Sequence, residues 1–252
     1  MKRFTFAIVL FLLIGLTYSC NENTAKTNDL KKMGFHGDIG TIIETAYELN
    51  SKFGEEQIGN IKRKTVFKFN NDGNKIEESR YNSDGELSWK CKYTYDDKGN
   101  KIEENQYDSD GELSSKGKYT YDEKSNSLEV NSYDSDGELS SKCKYTYDDK
   151  GNMIELFLHD EDLSWKWEYT YDDKGNKIEK NYYHSNGVLL SKSKYTYDKK
   201  GILLGINVYD SDGELFLKSK YTYDEKDNII EERLYNVLEE PMGLTTNEIT
   251  YR

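Results

Sequence analysis

The residues with the most chemical potential are three tryptophans, a ladder of tyrosines and a set of acidic turns. Trp89, Trp165 and Trp167 share strand parity with Tyr169 and Tyr171. Aromatic faces of this kind stack on sugar rings and anchor protein contacts. These five are candidate ligand-binding residues; the competing reading is that they fill the inner side of a curved sheet. Asp108, Asp110 and Glu112 sit on one glycine turn, Asp108-Ser109-Asp110-Gly111-Glu112. They offer the oxygen donors that Ca2+ prefers. The distant bidentate Glu of an EF-hand is missing, and Asp and Gly occupy such turns for conformational reasons alone. A turn role is therefore the main expectation and weak Ca2+ binding the alternative, with no resident metal or cofactor. His36, His159 and His184 have no metal spacing, and no Ser-His-Asp order, phosphate loop or Cys-x-x-Cys stands out. A non-enzymatic protein is expected. Cys91 and Cys143 occupy the same place in two repeat units, four strands apart. At about 4.8 Å per strand their Cα atoms lie about 19 Å apart, beyond the roughly 7 Å limit of a disulfide.

Composition narrows the classes. Of 252 residues, 35% are apolar and 33% charged, with 22 Tyr and one Pro, so a conventional two-layer core is hard to build. The net charge is -12 and Lys and Glu alternate along the chain, which excludes the basic patch of a nucleic-acid partner.

The chain opens with a basic start, Met1-Lys2-Arg3, an apolar run from Phe4 to Leu16, and Thr17-Tyr18-Ser19-Cys20. This is the layout of a secretory signal, too short for a membrane-spanning helix. The junction resembles a bacterial lipoprotein lipobox of the kind found in Bacteroidetes, although Leu16 lies one place further from the cysteine than usual. The resemblance implies lipidation at Cys20; the alternative is an ordinary signal with an incidental cysteine. Residues 1–19 then form the signal and 20–33 a lipidated cysteine with a flexible tether. Residues 34–66 form an opening hairpin and 67–252 a repeat sheet. The expected address is an exported protein held by its lipid at the outer membrane or cell surface.

The remainder is one repeat. Tyr-Thr-Tyr-Asp starts at Tyr93, Tyr119, Tyr145, Tyr169, Tyr195 and Tyr221, with a period of 26 residues except for one step of 24 between Tyr145 and Tyr169. Each unit holds two turns with Gly at the third or fourth place, and Ser125 and Asp227 replace two of these glycines. Such turns suit three-residue hairpin loops closed by a left-handed residue and a bulge. The Tyr-, Ile- and Thr-rich segments between them read as about sixteen strands. Ser51 to Gly59 is expected as a longer loop, and Pro241 in an irregular loop before the last strand. Alternation places Ser115, Gly117, Tyr119 and Tyr121 on one face with Glu103, Asn105 and Tyr107, and leaves Glu104 on the other. Neither face is cleanly apolar. The expected fold is all-β: an elongated antiparallel meander of 26-residue double hairpins, either single-layered or an open spiral.

The core Tyr-x-Tyr-Asp-x-x-Gly-Asn, at Tyr93 to Asn100, Tyr145 to Asn152 and Tyr169 to Asn176, resembles the YD or RHS-type repeats of bacterial surface proteins. The likeness covers about Phe67 to Tyr235. It implies a β-sheet shell or extended surface protein, in some cases one that binds carbohydrate. The architecture is also similar to the single-layer sheet of spirochaete outer-surface lipoproteins. The expected function is an envelope lipoprotein whose sheet is a binding or adhesion surface for a glycan or an envelope protein. The alternative is a structural spacer without a ligand.

Overall fold

The computed structural model describes residues 28–52, 54–124, 126–160 and 163–252. Cys20 and the signal segment lie outside these residues. A short helix, α1 (Asp29–Lys32), precedes sixteen strands: β1 (Ile39–Lys52), β2 (Glu55–Phe69), β3 (Lys75–Tyr81), β4 (Leu87–Tyr95), β5 (Lys101–Tyr107), β6 (Leu113–Tyr121), β7 (Ser127–Asp134) and β8 (Leu139–Tyr147). They continue as β9 (Met153–Asp160), β10 (Leu163–Tyr171), β11 (Lys177–His184), β12 (Leu189–Tyr197), β13 (Leu203–Asp210), β14 (Leu215–Tyr223), β15 (Ile229–Tyr235) and β16 (Pro241–Tyr251).

Each strand pairs antiparallel with the next, and β1 pairs with β16, from Ile39 opposite Tyr251 to Glu48 opposite Gly243. The sheet is therefore a closed barrel, which corrects the open meander or spiral expected from the repeat. Closure gives both outer strands a partner and removes the exposed edges an open ribbon would carry. At about 4.8 Å per strand, sixteen strands span roughly 77 Å measured perpendicular to the strands, and the tilt that closure requires makes the girth larger.

The turns form two rims. At the first, Gly73, Gly99, Gly151, Gly175 and Gly201 have positive φ, and Asp227 stands in the same conformation at φ 62°. At the second, Gly85, Gly111, Gly137, Gly187 and Gly213 do so. In the turn at Asp96, the N–H of Asp96 bonds the carbonyl of Asn100 and the N–H of Gly99 bonds that of Asp96. Each such loop carries a bulge. Tyr95 faces Lys101 while Thr94 faces Glu103, so Ile102 is the extra residue. The bulge changes the facing of everything after it. Glu104 pairs with Gly117 and so joins the tyrosine face, whereas Glu103 and Asn105 pair with Lys118 and Lys116 on the other. The simple alternation assigned these residues the wrong way round. The shortened turn between β9 and β10 has no bulge: Leu158 faces Trp165 and Asp160 faces Leu163.

Three further expectations change. Ser51 to Gly59 is mostly strand, because β1 and β2 run on to Lys52 and from Glu55. Pro241 begins β16 instead of lying in a loop. Residues 28–33 are not a free tether. Leu30 and Met33 are buried with Phe35 against Ile39, Ile42, Phe67 and Phe69. The N–H of Leu30 bonds the carbonyl of Gly73, and that of His36 bonds Asn228 Oδ1 at 2.6 Å. This segment covers part of the first mouth.

Candidate lumenal binding site

The inward set is identified by its burial: Cys91, Val130, Trp167, Tyr182, Val208 and Leu217 are buried, and their strand partners of like facing include both tyrosines of every Tyr-Thr-Tyr. The outward set is charged. Lys116–Glu103 at 3.1 Å, Lys142–Glu129 at 2.7 Å and Lys192–Glu179 at 3.1 Å repeat around the middle of the wall. Lys118 lies over Tyr133, and Lys194 over Tyr209, at 5.4 Å. A barrel that spans a bilayer carries an apolar band about 25 Å tall at this level. The charged belt means this wall is built to face water.

The lumen has two sectors. From β1 to β6, with β15, it is ionic. Arg63 Nη2 lies 3.0 Å from Glu44, and Lys75 Nζ 2.5 Å from Glu78. The hydroxyls of Tyr93 and Tyr119 donate to Glu78 and Glu104 at 3.0 and 2.9 Å. Asp29 enters from α1, 2.5 Å from the Tyr95 hydroxyl, and accepts the N–H of Lys75. Burial works to raise the Asp29 pKa, but Lys101, Tyr95 and Lys75 outweigh it and hold the carboxyl below its ordinary value. Burial pushes the Lys101 ammonium down despite attraction to Asp29. From β7 to β14 the lumen is mostly apolar and aromatic. Leu203, Ile206, Val208 and Leu217 form a cluster, with Tyr195, Tyr197 and Tyr221 packed against it. Leu156 and Leu158 face inward opposite Trp167 and Trp165, only half-buried. Inside a closed wall, that exposure is to the lumen.

All three tryptophans of the candidate face point into the barrel. Trp89 lies under the Arg80 guanidinium at 4.8 Å. Trp167 is 6% exposed and stacks on Tyr182 with centroids 5.0 Å apart. Trp165, one pair nearer the second mouth, stays half-buried. The Tyr169 ring lies 4.9 Å from Lys177 Nζ, and the Tyr171 hydroxyl donates to the carbonyl of Met153. Trp165, Trp167, Tyr169 and Tyr171 are thus on one strand of the apolar sector, and Trp89 is on the ionic side.

In the acidic turn, Asp108 Oδ1 accepts the N–H groups of Asp110 and Glu112, both at 3.0 Å, as a loop cap does. Among the described residues no group of three His, Cys, Asp or Glu is arranged to hold a metal ion. Cys91 and Cys143 are free thiols. Burial, with Glu104 and Glu78 nearby, pushes Cys91 up to about 12, so it is a poor nucleophile. Sequence reasoning missed the lumenal ions Lys101, Glu104, Lys177 and Lys180. The bulge that accompanies a three-residue loop was the signal that could have found them.

No family model matches the chain, and no curated protein matches it. The YD-type resemblance therefore stands on the repeat motif alone. Among solved structures, the TcdB2-TccC3-Cdc42 structure is similar over 77% of this chain at 11% identity and a TM-score of 0.31, and the chain spans 14% of that one. A porin-like protein from Bacteroides vulgatus matches 85% of this chain and 98% of its own at 11% identity and TM-score 0.37. A LolA superfamily protein from Nitrosomonas europaea matches 86% and 88% at 8% identity and TM-score 0.33. At these TM-scores the likenesses assign neither family nor function.

Proposed function

We propose that this is an exported envelope lipoprotein, anchored through Cys20, that binds a small amphiphile inside its barrel and performs no catalysis. The observation that carries the reading is the division of the lumen into an apolar sector with half-exposed Leu156, Leu158 and Trp165 and an ionic sector around Glu78, Lys101 and Glu104. Apolar surface left accessible inside a chamber gains free energy when an apolar group covers it. Adhesion through an outward aromatic face loses its support, since the tryptophans turn inward. A glycan stacked on the lumenal rings, or no ligand at all, are the competing outcomes.

The test is intrinsic fluorescence of the full-length protein titrated with decanoate and, separately, with maltohexaose. Decanoate is expected to shift the emission saturably, and Trp165→Ser to weaken it about tenfold, or about 1.4 kcal/mol. Trp167→Ser is instead expected to cost about 3–5 kcal/mol of stability, as for a buried aromatic. Saturation by maltohexaose alone would turn the reading to a glycan. No response to either would leave the spacer. Retention at the membrane of Cys20→Ser protein would remove the anchor.

A further inference from the structure

Arg80 is the only charged residue at its place in the repeat. It lies inward on β3, between Thr65 of β2 and Trp89 of β4. Counted along the repeat, the same inward place is Gln106 on β5, Ser132 on β7 and Leu158 on β9. On β11, β13 and β15 it is Tyr182, Val208 and Leu234. This tier of the lumen therefore passes from a cation, through an amide and a hydroxyl, to an apolar side. That side holds Leu158 and, opposite it on β10, the half-buried Trp165.

The Arg80 guanidinium has no counter-group. Among the described residues it forms no ion pair and donates no hydrogen bond, and its Nε is buried without an acceptor. Its contact is the Trp89 ring, at 4.8 Å. The carboxylates that feel its charge are engaged elsewhere. Glu44 lies 3.0 Å from Arg63, and Glu78 lies 2.5 Å from Lys75 and accepts the Tyr93 hydroxyl. Burial, and then the like charge of Arg63, hold the Arg80 pKa below its ordinary value in spite of Glu78 and Glu44. A guanidinium nevertheless stays charged at neutral pH. Asp84 and Glu86, on the turn after β3, are exposed to water, which screens them, and form no ion pair with it. Beside Arg80, Thr65 is 1% exposed and its hydroxyl also has no partner. An unpaired charge and an unpaired hydroxyl each cost free energy that an anionic acceptor would recover. Stacking on Trp89 fixes the guanidinium plane, so its N–H edge is set as the fork that a carboxylate or phosphate takes bidentately.

We propose that Arg80, held by Trp89 and flanked by the Thr65 hydroxyl, receives the carboxylate or phosphate head of an amphiphile whose apolar part covers Leu158 and Trp165. This assignment rests on the lumenal-binding reading and names the chemistry of its ligand.

The test compares three ligands of one chain length on the full-length protein: decanoate, decyl phosphate and uncharged 1-decanoylglycerol. The two anions are expected to bind at least about tenfold more tightly than the neutral ligand. Arg80→Gln, which copies the place of Gln106, is expected to abolish that preference and to leave the affinity for 1-decanoylglycerol unchanged. Lys116→Gln, which removes the same charge from the outer wall, is expected to leave the preference intact. Should Arg80→Gln fail to fold, judged by circular dichroism, Arg80→Met carries the same test. Equal affinities in the wild type, a preference that survives loss of the Arg80 charge, or an equal loss in Lys116→Gln would overturn the anion site and leave lumenal binding standing. Failure of all three ligands to bind would overturn both. With the site upheld, the tighter of the two anions names the head group.

Discussion

The hydroxyl of Tyr121 on β6 donates to the backbone carbonyl of Lys101 on β5 at 2.6 Å. The same bond joins Tyr171 to Met153 at 2.7 Å and Tyr197 to Lys177 at 2.8 Å, and it links Tyr223 to Leu203. Each accepting carbonyl sits beside a bulge, where the ladder is interrupted. The second tyrosine of Tyr-Thr-Tyr thus supplies a donor that the bulge takes away.

Tyr121→Phe should consequently destabilise the barrel by about 1–3 kcal/mol, because it leaves a half-buried carbonyl without its partner. Tyr133→Phe, on the outward face, should stay within about 0.5 kcal/mol of wild type. Urea unfolding midpoints of the two variants check this, and equal losses would refute the assigned role.

Asp227 holds φ 62° at a place where other first-rim turns have glycine. A side chain in that conformation is strained, although Asp tolerates it better than most. Asp227→Gly should therefore raise stability by up to about 1 kcal/mol, and Gly99→Ala should lower it by at least as much. Thermal melts of both variants should move in opposite directions.

Glu232 supplies a pH-dependent prediction. Burial, with Glu44 nearby, raises its pKa above the ordinary 4.5 in spite of hydrogen bonds from Tyr221 and Ser219 and attraction to Arg63. A raised acid contributes its stability while protonated, fully below pH 4.5, and loses it as pH rises through the folded value. Glu232→Gln should melt nearer to wild type at pH 4 and above it at pH 8. A melting difference that does not grow between these two pH values would show that the carboxyl is not penalised by its site.

Removal of one whole unit, Tyr119 to Lys144, should leave fourteen strands that still alternate in direction, so that the ends can pair antiparallel and close. Removing thirteen residues leaves an odd number, and the first and last strands then run parallel. Size-exclusion chromatography should show a smaller monomer in the first case and association through open edges in the second. Two equally compact monomers would contradict the closure rule.

The repeat made the strands and turns legible, since Tyr, Ile and Thr runs between glycine turns leave few alternatives. It also placed Trp89, Trp165 and Trp167 on one face with the first and second tyrosines. The facing of Glu104 was misread because a two-residue alternation was carried through loops that each insert a bulge. Closure was not legible for a different reason. It depends on accumulated twist and on one long-range pairing, β1 with β16, and neither leaves a mark within a 26-residue unit. The lumenal pair Lys177 and Lys180 became recognisable only when register showed that positions three apart across a bulge face the same way.

The pairing of β1 with β16 also sets an order of events. Ile42 lies opposite Ile249, a separation of 249 minus 42, or 207 residues. Contacts so distant in sequence are slow to form, because the loop must be gathered before the pairing rewards it. Hairpins from β2 to β15 can assemble from neighbours as they appear, but β1 lacks one of its two partners until the last strand is present. An unfinished chain therefore displays two unpaired edges until its last strand is made, and over that interval it is most open to pairing with another chain.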